Sequence, residues 1–284
     1  MTIPIADTHV HLWDPARLHY AWHKQVPAID RPYLLEDYRQ ATDGLPIERM
    51  VFVQCDCDAD QNRDEVAMVS EIAKDEPRLQ GIVAFAPLEQ GAAVDDELAW
   101  LAGQPLVKGV RRITQGESDI KFCLRDDFVA GTKRLTKHEL TCDLCIMYKQ
   151  LPPTTELARR CPDVRFMLDH IGKADIKAGL FEPWGEDFKH FAALPNTWCK
   201  LSGIVTEADH DNWTPDDIAP FIRHAVECFG PQRLLYGGDW PVVNLAGDYK
   251  SWWQAIDAAL GELLSPAERK AVLHDNAVAF YRLP

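Results

Sequence analysis

The sequence predicts an α/β fold: a distorted (β/α)8, or TIM, barrel of one domain with long loops after some strands. Three observations point there. Eight short apolar runs alternate with helix-like stretches along 284 residues. Several runs are near-continuous in Val, Ile, Leu and Phe, as strands buried on both faces are. The spacing between runs is too long for hairpins, and right-handed βαβ crossovers close eight such units into a barrel of ~250 residues. A doubly wound open sheet is the competing architecture. It calls for a Gly-rich phosphate turn after the first strand, and the sequence has none there.

The runs are Ile3–His11, Arg49–Cys55, Leu79–Leu88 and Leu106–Ile113, then Leu140–Tyr148, Val164–Gly172, Thr197–Val205 and Arg233–Val243. Between them, Glu65–Asp75 sets Val66, Val69, Ile72 and Ala73 on one helical stripe. Thr214 followed by Pro215, Asp216 and Asp217 gives an N-cap, a proline at the first helical position and acid in the first turn. Ser265-Pro266-Ala267-Glu268 reads as a capping box, and Val272, Leu273, Ala277 and Phe280 mark the last helix. Two stretches, Pro15–Arg39 and Ile113–Glu139, are long for βα connections and follow strand ends, where barrel enzymes keep their active-site loops. No composition shift marks a boundary, so residues 1–284 read as a single domain.

Composition narrows the function. At 46% hydrophobic and 26% charged residues the chain is an ordinary globular protein. No apolar run reaches the ~18 residues of a membrane span. Lys plus Arg is 30 against 44 Asp plus Glu, a net charge of −14 that repels a phosphate backbone, so no nucleic-acid partner is expected. The N-terminus lacks a basic region and an apolar stretch, which predicts a cytoplasmic protein. Its eight cysteines, including the Cys55/Cys57 and Cys142/Cys145 pairs, then read as reduced, buried thiols. The acidic surface neither requires nor forbids a homo-oligomer.

The chemistry gathers at strand ends. Asp7, His9 and His11 alternate on the first strand and are expected to share one face. The sixth run ends on His170 and the eighth on Asp239, after two glycines that allow close backbone approach. Three imidazoles and a carboxylate converging at a barrel mouth are competent to hold zinc. One of Arg111 and Arg112, ending the fourth run, faces the mouth and can bind a carboxylate or hydroxyls. Gln54, Tyr148 and Trp22 are candidate wall or hydrogen-bonding groups, with simple packing the competing role for each. Lys200, a charge within an apolar strand, must be paired or face the site.

Six pieces carry a resemblance, in order from first strand to last helix. They are Asp7-Thr8-His9-Val10-His11-Leu12-Trp13-Asp14-Pro15, Gly109-Val110-Arg111 and Leu168-Asp169-His170-Ile171-Gly172-Lys173, then Cys199-Lys200-Leu201-Ser202-Gly203, Tyr236-Gly237-Gly238-Asp239-Trp240-Pro241 and Asn276-Ala277-Val278-Ala279-Phe280-Tyr281. Together they resemble the amidohydrolase superfamily, in its amidohydrolase 2 branch of sugar-lactone and pyrone-dicarboxylate lactonases; the fuconolactonase-like members are nearest in pattern. The resemblance implies that Asp239 activates the attacking water. It places His9, His11 and His170 around the substrate carbonyl or, with Asp239, around one divalent metal such as zinc. It makes Arg111 a substrate-binding arginine. The fifth-strand histidine and fourth-strand bridging ligand of binuclear members are missing here, so catalysis with one metal and catalysis without any both stay open. The expected reaction is hydrolysis of a small sugar lactone. A metal-dependent decarboxylase of an aromatic or dienoic acid and a non-catalytic sugar-binding barrel are the alternatives.

Overall fold

The computed structural model describes residues 2–284. Eight parallel strands follow one another in chain order: β1 Ile5–Val10, β2 Ile47–Val53, β3 Leu79–Ala84, β4 Val107–Arg111, β5 Thr141–Leu144, β6 Phe166–Leu168, β7 Thr197–Leu201 and β8 Leu234–Tyr236. A parallel bridge from Val10 to Trp240 sets the first strand against the chain just beyond β8. His11 N–H donates to Trp240 O at 2.8 Å and Asp239 N–H to His9 O at 2.8 Å across that seam. This is the (β/α)8 architecture; consecutive strand order excludes a doubly wound sheet.

Each strand feeds an outer helix: α1 Leu35–Ala41, α2 Asn62–Asp75, α3 Asp95–Ala102, α4 Asp126–Arg134, α5 Leu151–Arg160, α6 Trp184–Ala192, α7 Pro215–Phe229 and α8 Tyr249–Leu263. The capping signals hold. α7 starts at Pro215 after Thr214, and Ser265 N–H donates to Glu268 Oε2 at 2.9 Å ahead of α9, Pro266–Lys270. The expected last helix runs on from α9 through a π turn at Ala271–Asp275 into α10, Asn276–Tyr281. Both long connections are shorter than their sequence suggests. The first contains α1, opened by Asp37 accepting from Leu34 N–H at 2.8 Å, and the second contains α4. Among the described residues no helix is long and apolar enough to cross a membrane.

Two apolar layers result. The larger lies between strands and helices. The smaller fills the lower barrel, where Ala6, Val51, Val53, Val83, Met167 and Leu235 meet Ala277, Phe280, Tyr281 and Leu283 from the C-terminus. The tail therefore plugs the amino-terminal end of the barrel, and the opposite end stays open. Seven of the eight cysteines are buried and all eight are free, as reduced thiols should be.

Candidate active site

Strand β1 does not alternate evenly. Its register with β2 slips between Asp7↔Met50 and Val10↔Phe52, so three steps on β1 match two on β2. Such a bulge reverses the facing of what precedes it. Asp7 thus points outward, against the expectation that it joins His9 and His11. Its carboxylate accepts from Tyr38 OH at 2.9 Å, Tyr249 OH at 2.8 Å and Gly238 N–H at 2.7 Å, pinning α1, α8 and the eighth-strand turn together. His9 and His11 face the barrel axis. The two glycines work as expected: a Cβ on Gly237 would sit 2.7 Å from His9 Cβ, and one on Gly238 would sit 2.7 Å from Asp7 Oδ2.

At the mouth, His9 Nε2 lies 3.7 Å and His11 Nε2 3.5 Å from Asp239 Oδ1, and His170 Nδ1 lies 3.8 Å from Oδ2. The chemistry of each partner fixes a tautomer. His11 Nδ1 is 2.7 Å from Val53 O and His170 Nδ1 is 3.1 Å from Ser202 O; carbonyls only accept, so both Nδ1 atoms carry the hydrogen. Arg111 Nη1, which only donates, reaches His9 Nε2 at 3.1 Å, and His9 Nδ1 faces Asp169 Oδ1 at 3.4 Å. His11 therefore turns an Nε2 lone pair toward Asp239, the His9 Nε2 lone pair accepts from Arg111, and His170 sets its Nδ1 nearest the carboxylate. Burial lowers the pKa of His9 and His170, against the neighbouring Asp169 and Asp239 carboxylates, which raise it. Burial pushes the Asp239 carboxyl up, but the facing imidazoles outweigh it and hold the group well below the ordinary carboxylate range.

Beneath the mouth lies a second tier of charge. Arg111 Nη1 donates to Asp169 Oδ2 at 3.1 Å and Nη2 to Gln54 O at 2.6 Å. Lys200 is fully buried and paired, 2.6 Å from Asp143 Oδ2 and 3.1 Å from Asp169 Oδ1; Asp143 Oδ2 also accepts from Tyr281 OH at 2.6 Å. Arg112 points outward onto Glu89 and Glu117, which settles that Arg111 is the inward arginine of the pair.

The cavity over this floor measures about 320 Å³. His11, His170, Asp239, Arg111, Lys173, Cys145 and Asp56 line its polar side, and Trp13, Trp22, Ile29, Val242 and Leu245 its apolar side. Trp22 is thus a wall residue, its indole N–H donating to Cys55 O at 2.8 Å. His9 sits below the lining, fully buried. Two expected substrate contacts are not part of the lining. Gln54 is buried behind Arg111, its side-chain carbonyl accepting from Asp56 N–H at 2.5 Å. Tyr148 comes four residues after β5 ends, where the chain has already left the mouth, and Cys145 takes the inward place.

Sequence alternation missed Lys173 and Asp169 because the backbone after β6 is left-handed. His170, Ile171, Gly172 and Lys173 have φ of 54°, 51°, 71° and 52°. Three of these are not glycine, at a cost of roughly 1–2 kcal/mol each. The turn is held by Trp184 Nε1 donating to Ile171 O at 2.8 Å. It lets adjacent Asp169 and His170 both serve the site and brings Lys173 to the rim. A run in which three of four residues are not glycine carries little sequence signal for this conformation.

For a metal, the atoms of His9, His170 and Asp239 lie within 4.8 Å of one another, and His11 Nε2 lies 3.5 Å from Asp239 Oδ1. Imidazoles gathered with a carboxylate are a ligand set of zinc type, with His9 Nε2 already accepting from Arg111 Nη1. A second grouping, Cys145, Asp169 and His170, is less free, because Asp169 is engaged by Lys200 and Arg111.

Comparison with known proteins gives four points. An amidohydrolase family model matches residues 6–283. An L-fucono-1,5-lactonase of Burkholderia ambifaria is 30% identical over 283 residues, 98% of this chain and 95% of that protein. An L-rhamnono-gamma-lactonase of Scheffersomyces stipitis is 21% identical over 335 residues, 98% of each. Among solved structures, an amidohydrolase from Burkholderia multivorans with bound zinc superposes at a TM-score of 0.89, with 30% identity, covering 99% of this chain and 100% of that one.

Proposed function

Because the chain belongs to the amidohydrolase family and is a hydrolase acting on the ester bond of lactones, we propose that it opens a small sugar lactone, an aldonolactone such as fucono- or rhamnonolactone, to the open-chain acid. The observation that carries this reading is a buried Asp239 ringed by three imidazoles on the floor of a cavity sized for one sugar ring. Asp239 accepts the water proton as the water oxygen bonds to the carbonyl carbon, whose π pair moves to oxygen. On collapse the carbonyl reforms, the ring C–O bond breaks, and Asp239 returns the proton to the departing alkoxide. Trp13 and Trp22 cover the apolar edge of the ring and keep bulk water out. His9, His170 and Asp239, with His11 alongside, are the residues that would hold a zinc ion. Bound there, such an ion would supply Lewis-acid polarisation of the carbonyl and a more acidic water.

The test is a panel of aldonolactones read by acid release, with and without zinc. Asp239→Asn is expected to lower kcat by about 10²- to 10⁴-fold. Turnover near the parent level in that variant defeats the mechanism. Carbon dioxide released from aromatic acids in place of acid from lactones would indicate the decarboxylase.

A further inference from the structure

Hydrolysis by attack of water needs a hydrogen-bond donor, preferably charged, where the carbonyl oxygen becomes an oxyanion. The histidines do not supply it by themselves. His11 and His170 spend their Nδ1 hydrogens on Val53 O and Ser202 O, so their cavity-facing Nε2 atoms accept. Arg111 is charged, but its Nη1 is on Asp169 and His9 and its Nη2 on Gln54 O, and its Nε, which has no partner, is fully buried. One lining cation is left. Lys173 Nζ is 3.1 Å from Glu207 Oε1, which occupies one of its three ammonium hydrogens. Its backbone is held left-handed at φ 52°, in the same turn that presents His170.

We propose that Lys173 is a catalytic residue whose ammonium stabilises the oxyanion formed when Asp239-activated water attacks the lactone carbonyl. Glu207 aims it from outside the cavity lining. No proton leaves Lys173 in this step: the π pair of the carbonyl becomes an oxygen lone pair, the ammonium donates a hydrogen bond to it, and the carbonyl reforms as the ring C–O bond breaks. Burial works against the charge, but the neighbouring Glu207 and Asp239 carboxylates act the other way, and the pKa of the ammonium lies above its ordinary value.

This inference rests on the lactonase reading, and the experiment separates the two. On a lactone that the parent enzyme opens, Lys173→Met is expected to lower kcat by about 10²- to 10³-fold with KM little changed, the loss seen when one oxyanion donor is removed. Lys173→Arg should restore part of it. A cyclic phosphonate analogue of the lactone carries the tetrahedral anion, whereas the matching lactam is neutral. By calorimetry Lys173→Met should lose affinity for the phosphonate at least about tenfold more than for the lactam. Glu207→Gln, which leaves the ammonium in place, controls for folding of this rim. If the parent opens the lactone and Lys173→Met keeps kcat within about twofold, or loses equal affinity for both analogues, the assignment of Lys173 is wrong. If the parent opens no lactone, the functional reading fails first.

Discussion

A buried lysine is the most demanding residue in this barrel. Lys200 has no exposed surface and sits among Asp143, Asp169 and Tyr281, where a barrel interior is ordinarily filled with branched aliphatics. Two cations, Arg111 and Lys200, face two carboxylates, Asp143 and Asp169, so the tier is neutral as a whole. Buried pairs give little net stability, but breaking one strands a charge. Lys200→Met should therefore cost about 3–5 kcal/mol in urea denaturation. The double variant Lys200→Met with Asp143→Asn, which keeps the balance, should recover most of that. Equal losses in the two proteins would show that the tier is not held by charge balance. The sequence already required Lys200 to be paired or site-facing, because an unpaired charge in an apolar strand is too costly. Its partners lie 57 and 31 residues away, and no local pattern names them. Asp7 shows the opposite failure: period-two alternation placed it with His9 and His11, and one bulge turned it outward.

Helix α2 is tied to the site through a single carboxylate. Glu65 is buried, and its Oε1 accepts from Cys55 N–H at 2.9 Å just beyond β2, beside the cavity. Burial raises its pKa to about 7, against 4.5 in an exposed chain. A raised carboxyl pKa favours the folded state below pH 4.5, and that advantage is lost as pH rises through 7, by about 3 kcal/mol in all. Glu65→Gln keeps the acceptor and cannot ionise. Its stability relative to the parent should therefore rise steadily from pH 5 to pH 8, as followed by thermal melts across that range. A flat difference would mean that the carboxyl ionises freely. At this scale the sequence was most legible where physics is local: the stripe of α2, the caps before α7 and α9, and eight apolar runs. The left-handed turn after β6 was not, because it is imposed by Trp184 from the next helix and not by its own residues.

The whole molecule carries a net charge of −14, and its cavity has little cationic surplus. Arg111 is spent on the floor, Lys173 is shared with Glu207, and Asp56 and Asp239 face the same space. A neutral lactone should accordingly be opened with kcat/KM at least about tenfold above that of a lactone bearing a ring carboxylate. Added salt should narrow the gap, since it screens the long-range repulsion. Steady-state rates on a matched pair at two ionic strengths test this, and a preference for the charged lactone would contradict it. The seam of the barrel has a consequence of timing. His9 and His11 are synthesised more than two hundred residues before Asp239, the group they surround. During synthesis at ~5–20 residues per second the two histidines wait many seconds for their partner. Tyr281, which completes the floor, is fourth from the end of the chain. Onset of turnover in a translation reaction would time the closure of the barrel.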